Sequence, residues 1–243
     1  MDDLAGPKPA PGPDQPPIPV RLVTLTASRA GDRRQDLPRL ARVLADADAD
    51  VVCLQDVDRS EDGDQALLLS RALDMQLAWG PAVDAPRPDG AAPEAGNALL
   101  SRLPILVSSV HPLPGGGEPS SALQTMVELD GGALWVTAAH LTTGSAQERA
   151  AQVAALAELH SEPMETGVVV GDFAADPDAP ELAALRARFS DARDRVPDRA
   201  DRHRGADQVW VSPGVAVTAA RVLDGDGAGS PPLVVDLAVR SGV

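Results

Sequence analysis

The feature that most constrains this chain is a set of short, apolar, β-branched runs, each of which stops at a polar residue. DVVCLQD (50–56), ALWVTAAH (133–140) and GVVVGDF (167–173) are the clearest. Runs of this length, bounded by polar residues, read as buried strands, since a helix needs roughly ten residues or more. RLVTLTA (21–27), NALLS (97–101), ILVSSV (105–110), LQTMVEL (123–129), DQVWVS (207–212), VAVTAARVL (215–223) and PLVVDLAV (232–239) add further strands. Asp130-Gly131-Gly132 between two of them is a hairpin signal.

Helical periodicity fills the longer gaps. Asp36 is expected to cap a helix that places Leu37, Leu40, Val43 and Leu44 on one face. DQALLLSRALD (64–74) and PELAALRARF (180–189) read as helices. So does SAQERAAQVAALAELH (145–160), where Ser145 and Glu148 form a capping box. Strands outnumber helices, and hairpins mix with strand–helix–strand units. That pattern predicts an α/β sandwich and not a doubly wound parallel sheet. The chain of 243 residues is long enough for one domain with a substantial core. Residues 1–19, acidic and proline-rich, are expected to form a flexible tail, with the domain spanning 20–243.

Composition removes several classes of function. Cys53 has no partner, so there is no disulfide scaffold. No stretch of apolar residues is long enough to span a membrane. The start lacks the basic and apolar regions of a secretory signal, and a cytoplasmic location is expected. The formal charge is −15 and Lys8 is the only lysine, which argues against avid nucleic-acid binding. The basic cluster Arg199, Arg202, His203 and Arg204 is read as a solvated loop. There is no tyrosine, and Asn97 is the only asparagine, so chemistry needing several asparagines is out of reach.

Three polar side chains stand just past the ends of buried strands: Asp56, His140 and Asp172. Ligand sites gather where strands emerge into loops. Two carboxylates and an imidazole brought together there suit a divalent metal with an acid–base partner. The plainer alternative is that each is only the first polar residue after a strand.

The wording and order of the segments add a resemblance. RLVTLTASRAGD is similar to an opening strand of the form TYNI, DADVVCLQDVD to DVVCLQEVD, and GNALLSRLPI to GNAILSRYPI. ALWVTAAHL is similar to a strand ending NTHL, GVVVGDFAADP to VVGDFNA-P, GADQVWVS to RIDYIFVS, and AGSPPLVVDL to SDHLPVVVDL. Together they resemble the endonuclease/exonuclease/phosphatase superfamily of Mg²⁺-dependent phosphoesterases. The resemblance implies a four-layer α/β sandwich, with two mixed or antiparallel sheets face to face and helices outside. It implies metal-dependent phosphoester hydrolysis with Mg²⁺ or Mn²⁺ as cofactor and a phosphoester as substrate.

Carried over residue by residue, the metal-binding glutamate falls on Asp56. The NTHL histidine falls on His140, the GDFN aspartate on Asp172 and the IDYI aspartate on Asp207. Other positions depart from the pattern. The opening asparagine is Thr26, an arginine often seen after GEP is Ser120, the GDFN asparagine is Ala174, and the SDH pair falls on Gly229 and Ser230. No histidine follows His203, which stands four residues before Asp207 as the candidate substitute base. Two functional readings follow. One is a phosphoester hydrolase of impaired or lost activity. The other is a pseudoenzyme that keeps the fold as a binding module for a protein partner.

Weaker signals are read as structural. DRSEDG (58–63) starts like a calcium loop, but the twelfth position is Leu69. His111 is placed in a loop before Pro112. His160 ends a helix, where a cation would suit the dipole. Cys53 and the tryptophans Trp79, Trp135 and Trp210 are expected to pack.

Overall fold

The computed structural model describes residues 15–27, 33–60, 63–82, 95–116, 120–160, 166–195, 207–223 and 231–241. Two sheets carry the architecture. The first contains β1 (Ile18–Thr26), β2 (Val51–Ser60), β3 (Gly63–Asp64), β4 (Gln76–Pro81), β5 (Ala95–Ser101), β12 (Val215–Val222) and β13 (Leu233–Val239). Its order is β12-β13-β1-β2-β5-β4, with β3 paired to β2. The second contains β6 (Ile105–Pro112), β7 (Ser121–Leu129), β8 (Gly132–His140), β9 (Gly167–Asp172), β10 (Ser190–Asp191) and β11 (Asp207–Val211), in the order β10-β11-β9-β8-β7-β6. Both sheets are mixed: β1 with β2 and β8 with β9 are parallel, and the other pairs are antiparallel.

The layers follow from the alternation of side chains along each strand. Leu22 of β1, Val51 and Cys53 of β2, Leu99 of β5, Val136 and Ala138 of β8, Val168 and Val170 of β9 and Val209 of β11 fill the space between the sheets. Their neighbours in sequence face outward. Val23, Leu25, Val52 and Leu54 meet α1 (Arg33–Ala47) and α2 (Gln65–Leu73) through Leu44 and Leu69. On the other sheet, Ala139, Val169 and Trp210 meet α3 (Ala146–Leu159) and the short α4 (Ala183–Arg186) through Val153, Leu156 and Leu185. Helix, sheet, sheet and helix make the four layers expected. Near-continuous apolar runs such as VVCL and VVV are what strands covered on both faces require.

Several local expectations change. Helix α1 begins at Arg33, so Asp36 lies inside it and does not cap it, and Pro38 is carried in its interior. Asp64 caps α2, with Oδ1 accepting from the Leu67 amide at 2.9 Å. Ser145 caps α3, accepting from the Glu148 amide at 3.1 Å. The Glu148 carboxylate reaches across to the Gly116 amide at 2.8 Å. The stretch 180–189 is not one helix: a 3-10 turn at Pro180–Leu182 leads into four residues of α4. Strand β1 starts at Ile18, two residues ahead of the expected boundary, and Ser241 Oγ donates to the Pro16 carbonyl at 3.1 Å. Residues 1–14 of the proline-rich segment lie outside the described residues. His111 is in strand β6 and not a loop, with Nε2 2.9 Å from Ser109 Oγ. His160 is buried, 3.0 Å from Thr137 Oγ1 and edge-on to Phe189. Burial, helped by the Arg188 charge, pushes it down to about 4, so it sits neutral and does not serve the helix dipole as a cation.

Candidate active site

The polar ends of the inward-facing strands all arrive at one end of the sandwich. On β8 the inward series Val136, Ala138 continues to His140. On β9 it runs Val168, Val170, Asp172, and on β11 Val209 leads back to Asp207. Register makes these three a row: His140 pairs with Asp172, and Asp172 with Asp207. The opposite sheet supplies Thr24 and Thr26 from β1, Gln55 from β2 and Asn97 from β5 by the same alternation.

Asp207 is the centre of this end. It is fully buried, and Thr26 donates to it twice, from the hydroxyl to Oδ1 at 3.2 Å and from the amide to Oδ2 at 3.3 Å. The Gln55 amide, oriented so that its nitrogen meets acceptors, donates to Asp207 Oδ1 at 3.0 Å and to the Leu25 carbonyl at 2.9 Å. The Arg193 guanidinium, itself buried, donates to the Asp207 carbonyl from Nε at 3.0 Å and again from Nη2. Burial first, and then the Asp172 charge, push the Asp207 carboxyl up to about 7, against the pull of the Thr26 hydrogen bonds and Arg193. Gln55 and Arg193 were not singled out by sequence reasoning. The inward period of DVVCLQ identifies Gln55, whereas nothing local marks Arg193.

Asp172 reaches this position because β9 passes unusually close to β8. Gly171 has φ +143°, and a Cβ there would lie 1.8 Å from the Ala139 carbonyl oxygen, so only glycine fits. Asp172 Oδ1 accepts from the Ala174 amide at 2.8 Å, and Oδ2 lies 4.0 Å from His140 Nε2. Ala174 is held at φ 48°, a left-handed conformation that asparagine tolerates better than alanine.

Asp56 is placed by an irregularity. The β2–β5 register shifts between Leu54 and Val57, and Asp56 adopts φ 57° within that bulge. The bulge turns its side chain out of the strand alternation. Asp56 lines a cavity of about 300 Å³ together with His140, Ser120 and Asn97. The Ser120 hydroxyl donates to the His140 carbonyl at 2.5 Å, and Asn97 Nδ2 donates to the Ser121 carbonyl at 2.8 Å. The structure therefore joins Asp56, Ser120 and His140 on one cavity, and Thr26, Asp172 and Asp207 behind it. Gly229, Ser230 and His203 lie outside the described residues.

The donor set can be tested against a metal. Among the described residues, no three His, Cys, Asp or Glu side chains are gathered to hold an ion by themselves. Mg²⁺ does not require that, since it keeps several waters and takes one or two carboxylates with substrate phosphate. Asp56, a hard oxygen ligand lining a cavity, fits such a role. Both Asp207 oxygens are engaged with Thr26, and one Asp172 oxygen with Ala174.

Among the described residues no helix is long and apolar enough to cross a membrane. No curated protein matches the sequence. Solved structures do. An endonuclease/exonuclease/phosphatase from Beutenbergia cavernae DSM 12333 is 23% identical, with a TM-score of 0.73 over 93% of this chain and 72% of that one. The human Nocturnin catalytic domain with bound sulfate is 22% identical, with a TM-score of 0.71 over 91% and 94%. A mannosyl-6-phosphatase from Bacteroides thetaiotaomicron VPI-5482 is 13% identical, with a TM-score of 0.74 over 90% and 99%. At these identities the likeness is one of fold. The profile of the endonuclease/exonuclease/phosphatase family matches residues 27–230, and the chain belongs to that family.

Proposed function

We propose that this domain is a metal-dependent phosphoester hydrolase of impaired activity. The observation that carries the reading is the row His140–Asp172–Asp207, which ends the inter-sheet core beside the cavity lined by Asp56. Mg²⁺ or Mn²⁺ would be held by Asp56 and would polarise the phosphoryl oxygens when bound. His140, with 29% of its side chain exposed, can hydrogen-bond a phosphoryl or leaving oxygen. Asp172 Oδ2 lies 4.0 Å from His140 Nε2, which places a carboxylate beside the ring.

Impairment follows from what the chain offers in place of the family residues. Thr26 supplies one hydroxyl, whose single proton is spent on Asp207, where a carboxamide would offer two N–H donors and a separate carbonyl acceptor, and Ala174 supplies no side-chain polar group. Asp207 is locked by Thr26 and Gln55, with no described imidazole to orient. Losing a positioned general base lowers rates by about 10²–10⁴. The test is hydrolysis of bis(p-nitrophenyl) phosphate with Mg²⁺ or Mn²⁺ by the wild type and by Asp172→Ala. A slow, metal-dependent rate that the substitution abolishes supports the reading. Equal rates in both proteins would remove it.

The second reading is a binding module without turnover. It is favoured by the sealing of Asp207, fully buried with both oxygens engaged. Under that reading the chain's charge of −15 suits a protein or cationic partner over nucleic acid.

A further inference from the structure

We propose that Asn97 is a second protein ligand for the metal, its side-chain carbonyl oxygen Oδ1 joining the Asp56 carboxylate. The inference rests on the metal-dependent reading of the site and adds a residue to it.

The fold sets Asn97 opposite the bulge that turns Asp56 out of its strand. Leu54 pairs with Ala98 and Val57 with Gly96, so Gln55 and Asp56 together face Asn97 across the two strands. Two residues against one is the count that defines a bulge. Gln55 spends its amide nitrogen on Asp207 and the Leu25 carbonyl. Asp56 and Asn97 line one cavity. An aspartate reaches less far than a glutamate by one methylene. An ion held by Asp56 is thereby drawn toward the β2–β5 backbone, where Asn97 stands.

The chemistry of the carboxamide fixes which of its atoms is on offer. Asn97 Nδ2 donates to the Ser121 carbonyl at 2.8 Å. A carbonyl only accepts, so the nitrogen must face it and the amide cannot be turned around. Oδ1 is left as a buried acceptor, on a residue 2% exposed, with no hydrogen-bond partner among the described residues. Buried acceptors are nearly always paired, and one left over beside a cavity calls for a donor or a cation from outside the chain. Mg²⁺ and Mn²⁺ suit it, since both take carboxylate, carbonyl and water oxygens. The group is also held in place from the facing sheet. Besides the bond from Asn97 to its carbonyl, Ser121 donates its hydroxyl to the Pro81 carbonyl at 2.7 Å, and Pro81 pairs with Gly96, the residue before Asn97. A ligand already fixed loses less freedom on binding.

Asn97 is the only asparagine in the chain, so asparagine labelled with ¹³C at its side-chain carbonyl reports on this one group. The full chain carrying that label is loaded with Mn²⁺ and measured by electron–nuclear double resonance. A ¹³C hyperfine coupling from the single labelled carbon is expected, and Asp56→Ala should lose it together with the bound ion. Calorimetry with Mn²⁺ compares the wild type with Asn97→Ala, and thermal unfolding is followed for both with and without the metal. Asn97→Ala is expected to weaken Mn²⁺ binding about tenfold or more, the loss typical even of partners one step further from a metal. It should also shrink the rise in melting temperature that the metal brings. A role in packing alone would lower the metal-free melting temperature and leave the affinity unchanged. That result, or no ¹³C coupling in a wild type that binds Mn²⁺, overturns the proposal and leaves the metal-dependent reading standing. Should Asn97→Ala fail to fold, the labelled wild type decides by itself. If Mn²⁺ does not bind the wild type, both readings fall together.

Discussion

Thr26 and Asp207 meet across the two sheets of the sandwich, the hydroxyl of one donating to the carboxyl of the other at 3.2 Å. They come from strands 181 residues apart in the chain, and the contact closes the inter-sheet core at the site. Asp207 is fully buried there, and its titration is displaced up to about 7 by that burial and by Asp172. A raised carboxyl means that the folded state holds a proton the unfolded chain has released. Its stabilising contribution is present below about pH 4 and is lost as pH rises through about 7. Asp207→Asn should flatten the fall in unfolding free energy between those limits, measured by denaturant titration across pH. Thr26→Val should destabilise the fold by about 1–2 kcal/mol, because a buried acceptor loses its donor.

His160 should act in the opposite direction. Its folded titration lies at about 4, below the ordinary value of 6.5, so protonation favours the unfolded chain. Stability contributed by the neutral ring is present above about pH 6.5 and is lost as pH falls toward 4. The loss is on the order of 3 kcal/mol when complete. His160→Gln should remove that acid-side slope, whatever its effect on baseline stability.

Gly171→Ala should be among the most damaging single substitutions. An added Cβ would fall 1.8 Å from the Ala139 carbonyl, at a φ of +143° that alanine avoids. We expect a loss of roughly 3 kcal/mol or more, read from thermal unfolding, with displacement of Asp172 from the row.

Ala174→Asn should do the reverse. The left-handed backbone at φ 48° costs alanine about 1 kcal/mol, part of which asparagine recovers through local hydrogen bonding. Stability should hold or rise slightly in chemical denaturation. Phosphodiester hydrolysis should rise when the change is combined with Thr26→Asn, since both restore an amide where the family pattern has one.

Much of this was legible in the sequence because buried strands announce themselves. VVCL and VVV have no polar residue to spare for an exposed face, which fixed their place between two layers. Within the row, His140 and Asp172 were legible as residues at the ends of buried strands, whereas Asp207, at the start of its strand, was marked only by the family motif it resembles. Gln55 shares the inward alternation of Val51 and Cys53, so period two alone places it on the face that meets Asp207. Asp56 could not be placed from its strand, since a bulge rotates it by one residue and period two fails there. Arg193 joins Asp207 through long-range packing that no local spacing encodes. Strand β4 (Gln76–Pro81) carries no β-branched residue to mark it, and Gly80 lies against Leu123 in the facing sheet with no room for a Cβ. The helix at 180–189 failed because periodicity alone does not resolve a 3-10 turn from an α-helix.

The most direct test of the central claim is calorimetric titration of Mg²⁺ and Mn²⁺ into the full chain and into Asp56→Ala. The account predicts saturable binding in the wild type that disappears in the variant. Equal heats in both proteins, or no binding at millimolar metal, would contradict it.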